Sequence, residues 1–246
     1  MAAANQFTTV AEVYDNLMSV VPYARWVDYV ELLWERFGTA PRSVLDLACG
    51  TGNVLIELRG RGYEVAGADK SPGMLRQAAR KTIGEVPLTC QDMRELDLPR
   101  TFDACVCLFD SVNYLLKRQH LRQTFAAVRR HLNPGGLFIF DMNTIRALET
   151  GMFNQEGTGA DASLLYLWRS GYDPATRLCT IEMDFTVRTD GNARTFHETH
   201  VQRGYMRAEV EDALERAALQ PLACYASFTL SEPTARSDRF HFVARR

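Results

Sequence analysis

The sequence predicts a doubly wound α/β fold with a mostly parallel sheet and an inserted antiparallel β lid. Three observations predict it. From Ser43 onward, apolar strand-like runs alternate with helical segments, the order that builds a parallel sheet with helices on both faces. The runs are nearly continuous in apolar residues, as strands covered on both sides are. After residue 150 the alternation gives way to long strand-like runs joined by turn signals, with no helix between them.

Each element has its own warrant. In "YARWVDYVELLWERF", residues 23–37, Tyr23, Trp26, Val27, Val30, Leu33, Trp34 and Phe37 recur at helical spacing and make one amphipathic helix. "SVLDLA" then reads as a strand, residues 53–61 as a helix, "YEVAGA" as a strand and "SPGMLRQAARKT" as a helix, with Ser71 at its cap and Pro72 at its first position. "VPLTCQ" and "FDACVCLF" are strands. Residues 117–132 form a helix that "NPGG" ends and turns, and "GLFIFDM" is the next strand. Residues 150–162 read as a loop. "SLLYLWRSGY", "RLCTIEMDFTV" and "RTFHETHVQRGY" follow as antiparallel strands, turned at "DPAT" and at the hairpin signal Asp190-Gly191. A helix over 206–219, a strand over 222–230 and a last strand "RFHFVA" close the chain. The expected division is an N-terminal helical cap over 1–40, a core over 41–149 and 206–246, and an antiparallel lid over 150–205.

The totals restrict the function. The chain has 246 residues, a formal net charge of -2 and a pI of about 6.2. A nucleic-acid footprint needs a basic excess, so none is expected. "MAAANQFTTV" has neither a basic n-region nor an apolar h-region, and no apolar run approaches the length of a membrane span. The six cysteines, Cys49, Cys90, Cys105, Cys107, Cys179 and Cys224, include no CxxC pair, and four lie in strand-like runs. They read as buried free thiols in a reducing cytoplasm.

The segment "VLDLACGTG" carries the chemistry. A strand ends at Asp46, breaks into small residues and glycines, and restarts as a helix near Asn53. A dinucleotide fold wants G-x-G-x-x-G, but here the third position after Gly50 and Gly52 falls on Leu55. No lysine follows in the spacing of a GxxxxGK loop. Further landmarks lie downstream: Asp69 in "GADKS", nineteen positions after Gly50, then "CQDM", "FDACVCLFDSVNYL" and "LNPGGLFIFD".

In this order these segments resemble the motifs of class I S-adenosylmethionine-dependent methyltransferases, which implies a Rossmann-like methyltransferase fold and S-adenosyl-L-methionine as cofactor. The physics at each position agrees. Gly50 and Gly52 permit dihedrals and a backbone approach that a side chain would forbid. The helix start near Asn53 offers free N–H groups to a carboxylate. Asp69 can accept both ribose hydroxyls, the role the resemblance gives it. Asp92 is expected beside the adenine amino group, with Met93 and Met74 as apolar walls, and Asp46 orders the glycine loop and the amino end of the methionine moiety. Ala48, Cys49, Lys70 and Phe109 complete the expected cofactor set. The N-terminal "YDNLMSVVPYARW" is similar to small-molecule methyltransferases, including the amino-sugar N-methyltransferases, in which this segment closes over the cofactor. That resemblance makes Tyr14 a candidate contact near the transferring methyl.

Methyl transfer is an in-line displacement of an already activated leaving group, so positioning and desolvation dominate. An acceptor that needs a base finds Asp110 best placed, with His200 or His197 as the lid-side choice. "FHETH", holding His197, Glu198 and His200, is not HExxH and lies on a strand, so no metal site is expected. His197 and His200 point to opposite faces of that strand, while His120, His131 and His241 read as surface or satisfied core residues. Phe109 and Tyr114 flank "DSVN" at the end of the fourth strand and suit packing or substrate contact equally. Tyr166, Trp168, Phe196 and His200 in the lid are expected to roof an acceptor pocket. The expected function is methylation of a small molecule at nitrogen or oxygen, with a homodimer through the lid and neither nucleic-acid nor membrane partners. The alternatives are a methyltransferase of tRNA or protein, a nicotinamide dehydrogenase, which would need the third glycine, and a non-catalytic cofactor-binding module, which should have lost Asp46, Asp69 or Asp92.

Overall fold

The computed structural model describes residues 6–160, 162–189 and 191–246. After a short helix α1 (Tyr14–Leu17) and the amphipathic α2 (Tyr23–Arg36), the chain alternates through β1 (Ser43–Leu47), α3 (Asn53–Gly60), β2 (Glu64–Asp69), α4 (Pro72–Lys81), β3 (Leu88–Cys90), β4 (Phe102–Cys107), α5 (Arg118–His131) and β5 (Leu132–Asn143). A helix α6 (Ile145–Glu149) leads into β6 (Gln155–Thr158), β7 (Leu164–Asp173), β8 (Leu178–Thr189) and β9 (Asn192–Arg203). Helix α7 (Arg207–Arg216), β10 (Gln220–Ala226) and β11 (Arg239–Arg245) finish the fold.

Seven strands form the main sheet in the order β10-β11-β5-β4-β1-β2-β3. The strands from β3 to β5 are parallel, and β11 and β10 are added antiparallel at one edge. β1 lies between β4 and β2 with all five residues buried, and its alternation sends side chains to two cores. On one face Val44, Ala104 and Val106 meet Trp26, Val30 and Leu33 of α2 and Leu55 and Leu58 of α3. On the other, Leu45 and Leu47 meet Leu121 and Phe125 of α5 and Val210 and Leu214 of α7. Each large apolar side chain so buried stabilises the fold by about 1.5–3 kcal/mol relative to exposure. The order of the sheet puts the carboxyl ends of β1, β2, β3 and β4 side by side.

The second sheet, β6-β7-β8-β9, is antiparallel throughout. One of its faces buries Leu164, Cys179, Ile181, Met183 and Phe185 against Val10 and Ala11 of the N-terminal segment and Met74 of α4. The outer face carries His197 bonded to Glu182 at 2.6 Å and Asp184 at 2.8 Å, all exposed. The hairpin joining β8 to β9 pairs Thr189 with Asn192 and holds Gly191 at φ 81, as a two-residue turn requires. Asp190, half of that hairpin signal, lies outside the described residues.

Four local expectations are corrected. The stretch read as loop over 150–162 contains β6, and α6 precedes it, capped where Thr144 Oγ1 accepts from Ala147 N at 3.1 Å. The "NPGG" segment does not only stop α5; it enters β5 as a bulge, the pairing with β4 jumping from Phe102–Leu132 to Ala104–Leu137. The strand read over 222–230 runs instead over Gln220–Ala226. All six cysteines are free, but Cys90, at the last residue of β3 where the sheet ends, is exposed rather than buried.

Candidate active site

Beyond the carboxyl ends of the parallel strands lies a cavity of about 480 Å³. Asp46 closes the fourth position of β1, and the backbone then passes through positive φ at Ala48 (59°), Gly50 (55°) and Gly52 (81°) before α3 begins. Gly52 N donates to Cys49 O at 2.9 Å, and Cys49 N donates to Ala68 O at 3.1 Å, so the loop stays anchored to β2. A left-handed alanine is uncommon and costs energy that the surrounding bonds must offset.

Of the residues expected at the cofactor, Tyr14, Asp46, Ala48, Cys49, Gly50, Asp69, Lys70, Met74, Asp92, Met93 and Phe109 all line this cavity. Gly52 does not. A Cβ there would come within 3.1 Å of the Ala78 Cβ, so this glycine lets the turn pack on α4.

The carboxylates differ in their surroundings. Asp46 is 2% exposed, and its Oδ2 has no hydrogen-bond partner among the described residues. Burial, then the charge of Asp69, pushes its carboxyl well above the usual range. Asp69 accepts from Gly50 N at 3.0 Å and Ser71 N at 2.7 Å; burial raises its carboxyl and these amides pull against the rise. Burial also raises Asp92, but Arg94, bonded to it at 2.8 and 2.7 Å, outweighs that and holds it below the usual range. Cys49 is held far above its ordinary value by burial and by Asp46 and Asp69, so it stays a thiol.

The N-terminal segment, residues 6–18, covers the cavity with Gln6, Phe7 and Tyr14. Asp15 ties it to the glycine loop, accepting from Thr51 Oγ1 at 2.6 Å, Asn53 Nδ2 at 3.1 Å and Lys81 Nζ at 2.9 Å. Phe7 meets Tyr14 at 6.4 Å and Tyr114 at 5.2 Å between ring centroids, and all three line the cavity. Burial first, then the neighbouring phenols and carboxylates, keeps the Tyr14 hydroxyl protonated far above its ordinary range, and burial does the same for Tyr114.

The residues expected to act on the acceptor lie elsewhere. Backbone at positive φ over Phe109 and Asp110 turns Phe109 into the cavity and Asp110 away from it. The Asp110 carboxylate instead accepts from Arg239 Nη2 at 3.0 Å and Gln202 Nε2 at 2.6 Å, and Arg239 also pairs with Asp141. Both of its oxygens are thus occupied by partners outside the cavity. His200 is 1% exposed and does not line the cavity; it reaches it through Tyr114, whose hydroxyl lies 3.0 Å from its Nδ1. Tyr166, Trp168 and Phe196 do not line the cavity either; they pack in the cluster that joins the inserted sheet to the N-terminal segment.

His120 does line it, at the start of α5, although its sequence context reads as surface. The neighbouring Lys117, and Gln6 and Phe7, line it with no local signal in the sequence, whereas Tyr23 falls in the segment expected to close over the cofactor and Tyr114 has its place after β4. His131 is a satisfied core residue, accepting from Leu98 N at 2.8 Å, whereas His241 is buried against Trp26 and Tyr29 with neither ring nitrogen bonded among the described residues. Among the described residues no group of three or more His, Cys, Asp and Glu side chains could hold a metal ion, and no helix is long and apolar enough to cross a membrane.

The family model of a methyltransferase domain matches residues 44–136. YqeM of Bacillus subtilis (strain 168), whose name places it with the methyltransferases, is 35% identical over 240 residues, covering 96% of this chain and 95% of its own. The dTDP-4-amino-2,3,4,6-tetradeoxy-D-glucose N,N-dimethyltransferase of Saccharopolyspora spinosa is 30% identical over 85% of each chain. The crystal structure of a S-adenosylmethionine-dependent methyltransferase from Clostridium acetobutylicum superposes with a TM-score of 0.85 at 29% identity, covering 96% of each chain.

Proposed function

This chain belongs to the S-adenosylmethionine-dependent methyltransferases, and on that premise we propose that it methylates the amine of a small polar acceptor, an amino sugar carried on a nucleotide being the class its relatives suggest. The observation that carries the reading is the pairing of two environments in one cavity: strand-end carboxylates and the aromatic group Phe7, Tyr14 and Tyr114.

The residues present fit the cofactor. The unpartnered Asp46 oxygen is a buried hydrogen-bond acceptor, which suits the ammonium of a methionine moiety. Gly50 leaves open space where a side chain would project, which suits close backbone contact. Asp69 suits ribose hydroxyls, Asp92 and Met93 an adenine edge and face, and Lys70 and Met74 the flanks of the same ligand. When bound, S-adenosylmethionine supplies a sulfonium methyl group already activated for displacement. The protein's own contribution is then orientation and exclusion of water. Tyr14 and Tyr114 stay protonated, and their oxygens can accept N–H bonds from an amine and turn its lone pair toward the methyl group. No base is needed for an amine that arrives neutral, which accords with Asp110 being engaged by Arg239.

The free thiols accord with a reducing cytoplasm. A second copy meeting the inserted sheet would meet the charged face of Glu182, Asp184 and His197, so a dimer through it would be polar and salt-sensitive.

The test is incubation with methyl-labelled cofactor and three separate pools: small amines that include dTDP-4-amino-2,3,4,6-tetradeoxy-D-glucose, bulk tRNA, and an unfractionated protein extract. The expected result is label on nitrogen in the first pool. Label confined to tRNA or protein overturns the reading.

A further inference from the structure

Glu198 lies on β9, is 5% exposed, and gathers four donors, three of them backbone amides of the distant N-terminal segment and the fourth the ring of His200 on its own strand. Its Oε1 accepts from Thr9 N at 2.7 Å and Val10 N at 2.8 Å; its Oε2 accepts from Phe7 N at 3.0 Å and lies 2.9 Å from His200 Nε2. A neutral imidazole that donates from Nε2 accepts at Nδ1, and the partner there is the Tyr114 hydroxyl at 3.0 Å. The ring of His200 also packs on Phe7 at 4.5 Å. Phe7 itself sits at φ 61 with its carbonyl accepting from Ser71 Oγ at 2.7 Å, so a strained residue of the cavity cover is gripped from both sides.

Packing alone does not call for this arrangement. Val10 and Ala11 already bury themselves against Ile181, Phe185 and Met74. Apolar contact would fix the segment's position only loosely, whereas a buried carboxylate with four donors fixes it directionally, because each amide left without that acceptor would carry a desolvation cost.

We propose that Glu198 is a positioning residue that clasps the N-terminal segment over the cavity, so that the inserted sheet governs how long the cofactor and its demethylated product stay bound. Through His200 the same carboxylate holds the Tyr114 hydroxyl toward the cavity. The proposal rests on the cofactor occupying this cavity and is independent of the acceptor.

The test uses the full chain and S-adenosylhomocysteine as the only ligand. Calorimetry on the unsubstituted protein checks the cavity reading by itself: absence of binding sinks that reading, while the clasp is decided by rates. In Glu198→Gln the amide nitrogen faces donors it cannot satisfy, so release of labelled S-adenosylhomocysteine into excess unlabelled ligand is expected to accelerate at least tenfold. Thr9→Pro deletes one amide donor without touching β9, and release is expected to accelerate at least threefold. Hydrogen exchange at the amides of Phe7 and Val10 rises in both, and the low-field His200 Nε2 proton resonance is lost only in Glu198→Gln. The pair of Glu12 on this segment and Arg194 on β9, 2.7 Å apart and mostly exposed, is the control: it joins the same two elements but is solvated, so Glu12→Ala leaves release unchanged. Release within threefold of the parent in Glu198→Gln and Thr9→Pro, or equal acceleration in Glu12→Ala, overturns the clasp. Thr9→Pro decides alone where Glu198→Gln does not fold.

Discussion

A carboxylate oxygen buried without a partner costs stability until a cation or a donor reaches it, and in this cavity Asp46 carries that cost. Asp46→Asn keeps the shape and removes the charge. S-adenosylhomocysteine affinity, measured by calorimetry, is expected to fall at least tenfold, about 1.4 kcal/mol, while the ligand-free protein melts no lower than the parent. Equal affinity in a folded Asp46→Asn would remove Asp46 from the cofactor site. At this scale the sequence was a good guide wherever function sits at a strand end: Asp46, Asp69 and Asp92 each follow an apolar run, and all line the cavity. It was a poor guide to Asp110, because the partners that engage it, Arg239 and Gln202, lie 129 and 92 residues away and no local pattern announces them. His120 escaped for a related reason. A polar residue in the first turn of an amphipathic helix looks solvated until the sheet order brings that turn to the cavity.

Elements that bury an apolar face were legible, and those held by backbone pairing alone were not. β1, β2, β4 and β5 announce themselves through runs such as "SVLDL" and "FIF", since both faces are covered. β6, "QEGT", is polar and mostly exposed; it exists because the edge of β7 offers free N–H and C=O groups to it. The "NPGG" bulge falls between these cases, since proline and glycine signal a turn whether the chain leaves the sheet or rejoins it out of register. What decides is local space: a Cβ at Gly136 would lie 2.8 Å from Asp103 O and 2.9 Å from Asn133 O, both backbone atoms. Gly136→Ala is therefore expected to destabilise the protein by about 1–3 kcal/mol through overpacking, read as a lower denaturant midpoint at unchanged slope. An unchanged midpoint would mean that the bulge can widen and is not what sets the register of β5 against β4.

Across the whole molecule, two cores flank the main sheet and a third joins the N-terminal segment, α4 and the inserted sheet, so cofactor binding and global stability are coupled through the cavity they share. The coupling has a sign in pH. Asp46 and Asp69 are both raised in the ligand-free protein, chiefly by burial, so each contributes stability that is full below its unfolded value and lost as pH rises through its folded one. Asp141, lifted to about 6 by burial against the pull of Arg239, behaves the same way but lies outside the cavity lining, so its contribution is the same with and without ligand. Asp103 at about 2, where burial is outweighed by bonds from Asn133, Arg42 and Ser43, and Glu198, where burial is outweighed by His200 and the amides of Val10 and Thr9, are lowered. Their stabilisation is present above their unfolded values and fades only as pH falls through their folded ones, below the window considered. Among the cavity carboxylates the raised pair therefore sets the trend between pH 5.5 and 8. His197, raised by Asp184 and Glu182, and His241, lowered by burial, lie outside the cavity lining and contribute alike with and without ligand. A ligand ammonium beside Asp46 favours its ionised form and cancels the loss, so the rise in melting temperature caused by S-adenosylhomocysteine should grow with pH. At a hundredfold excess over Kd the stabilisation is about 2.7 kcal/mol, or roughly 5–10 °C for a chain of this size. Scanning calorimetry with and without ligand at pH 5.5 and pH 8 reads the difference directly, and Asp46→Asn should flatten it. An increment that is the same at both pH values in the parent protein would mean that Asp46 does not meet the ligand's charge, and that the cavity holds the cofactor by its other walls.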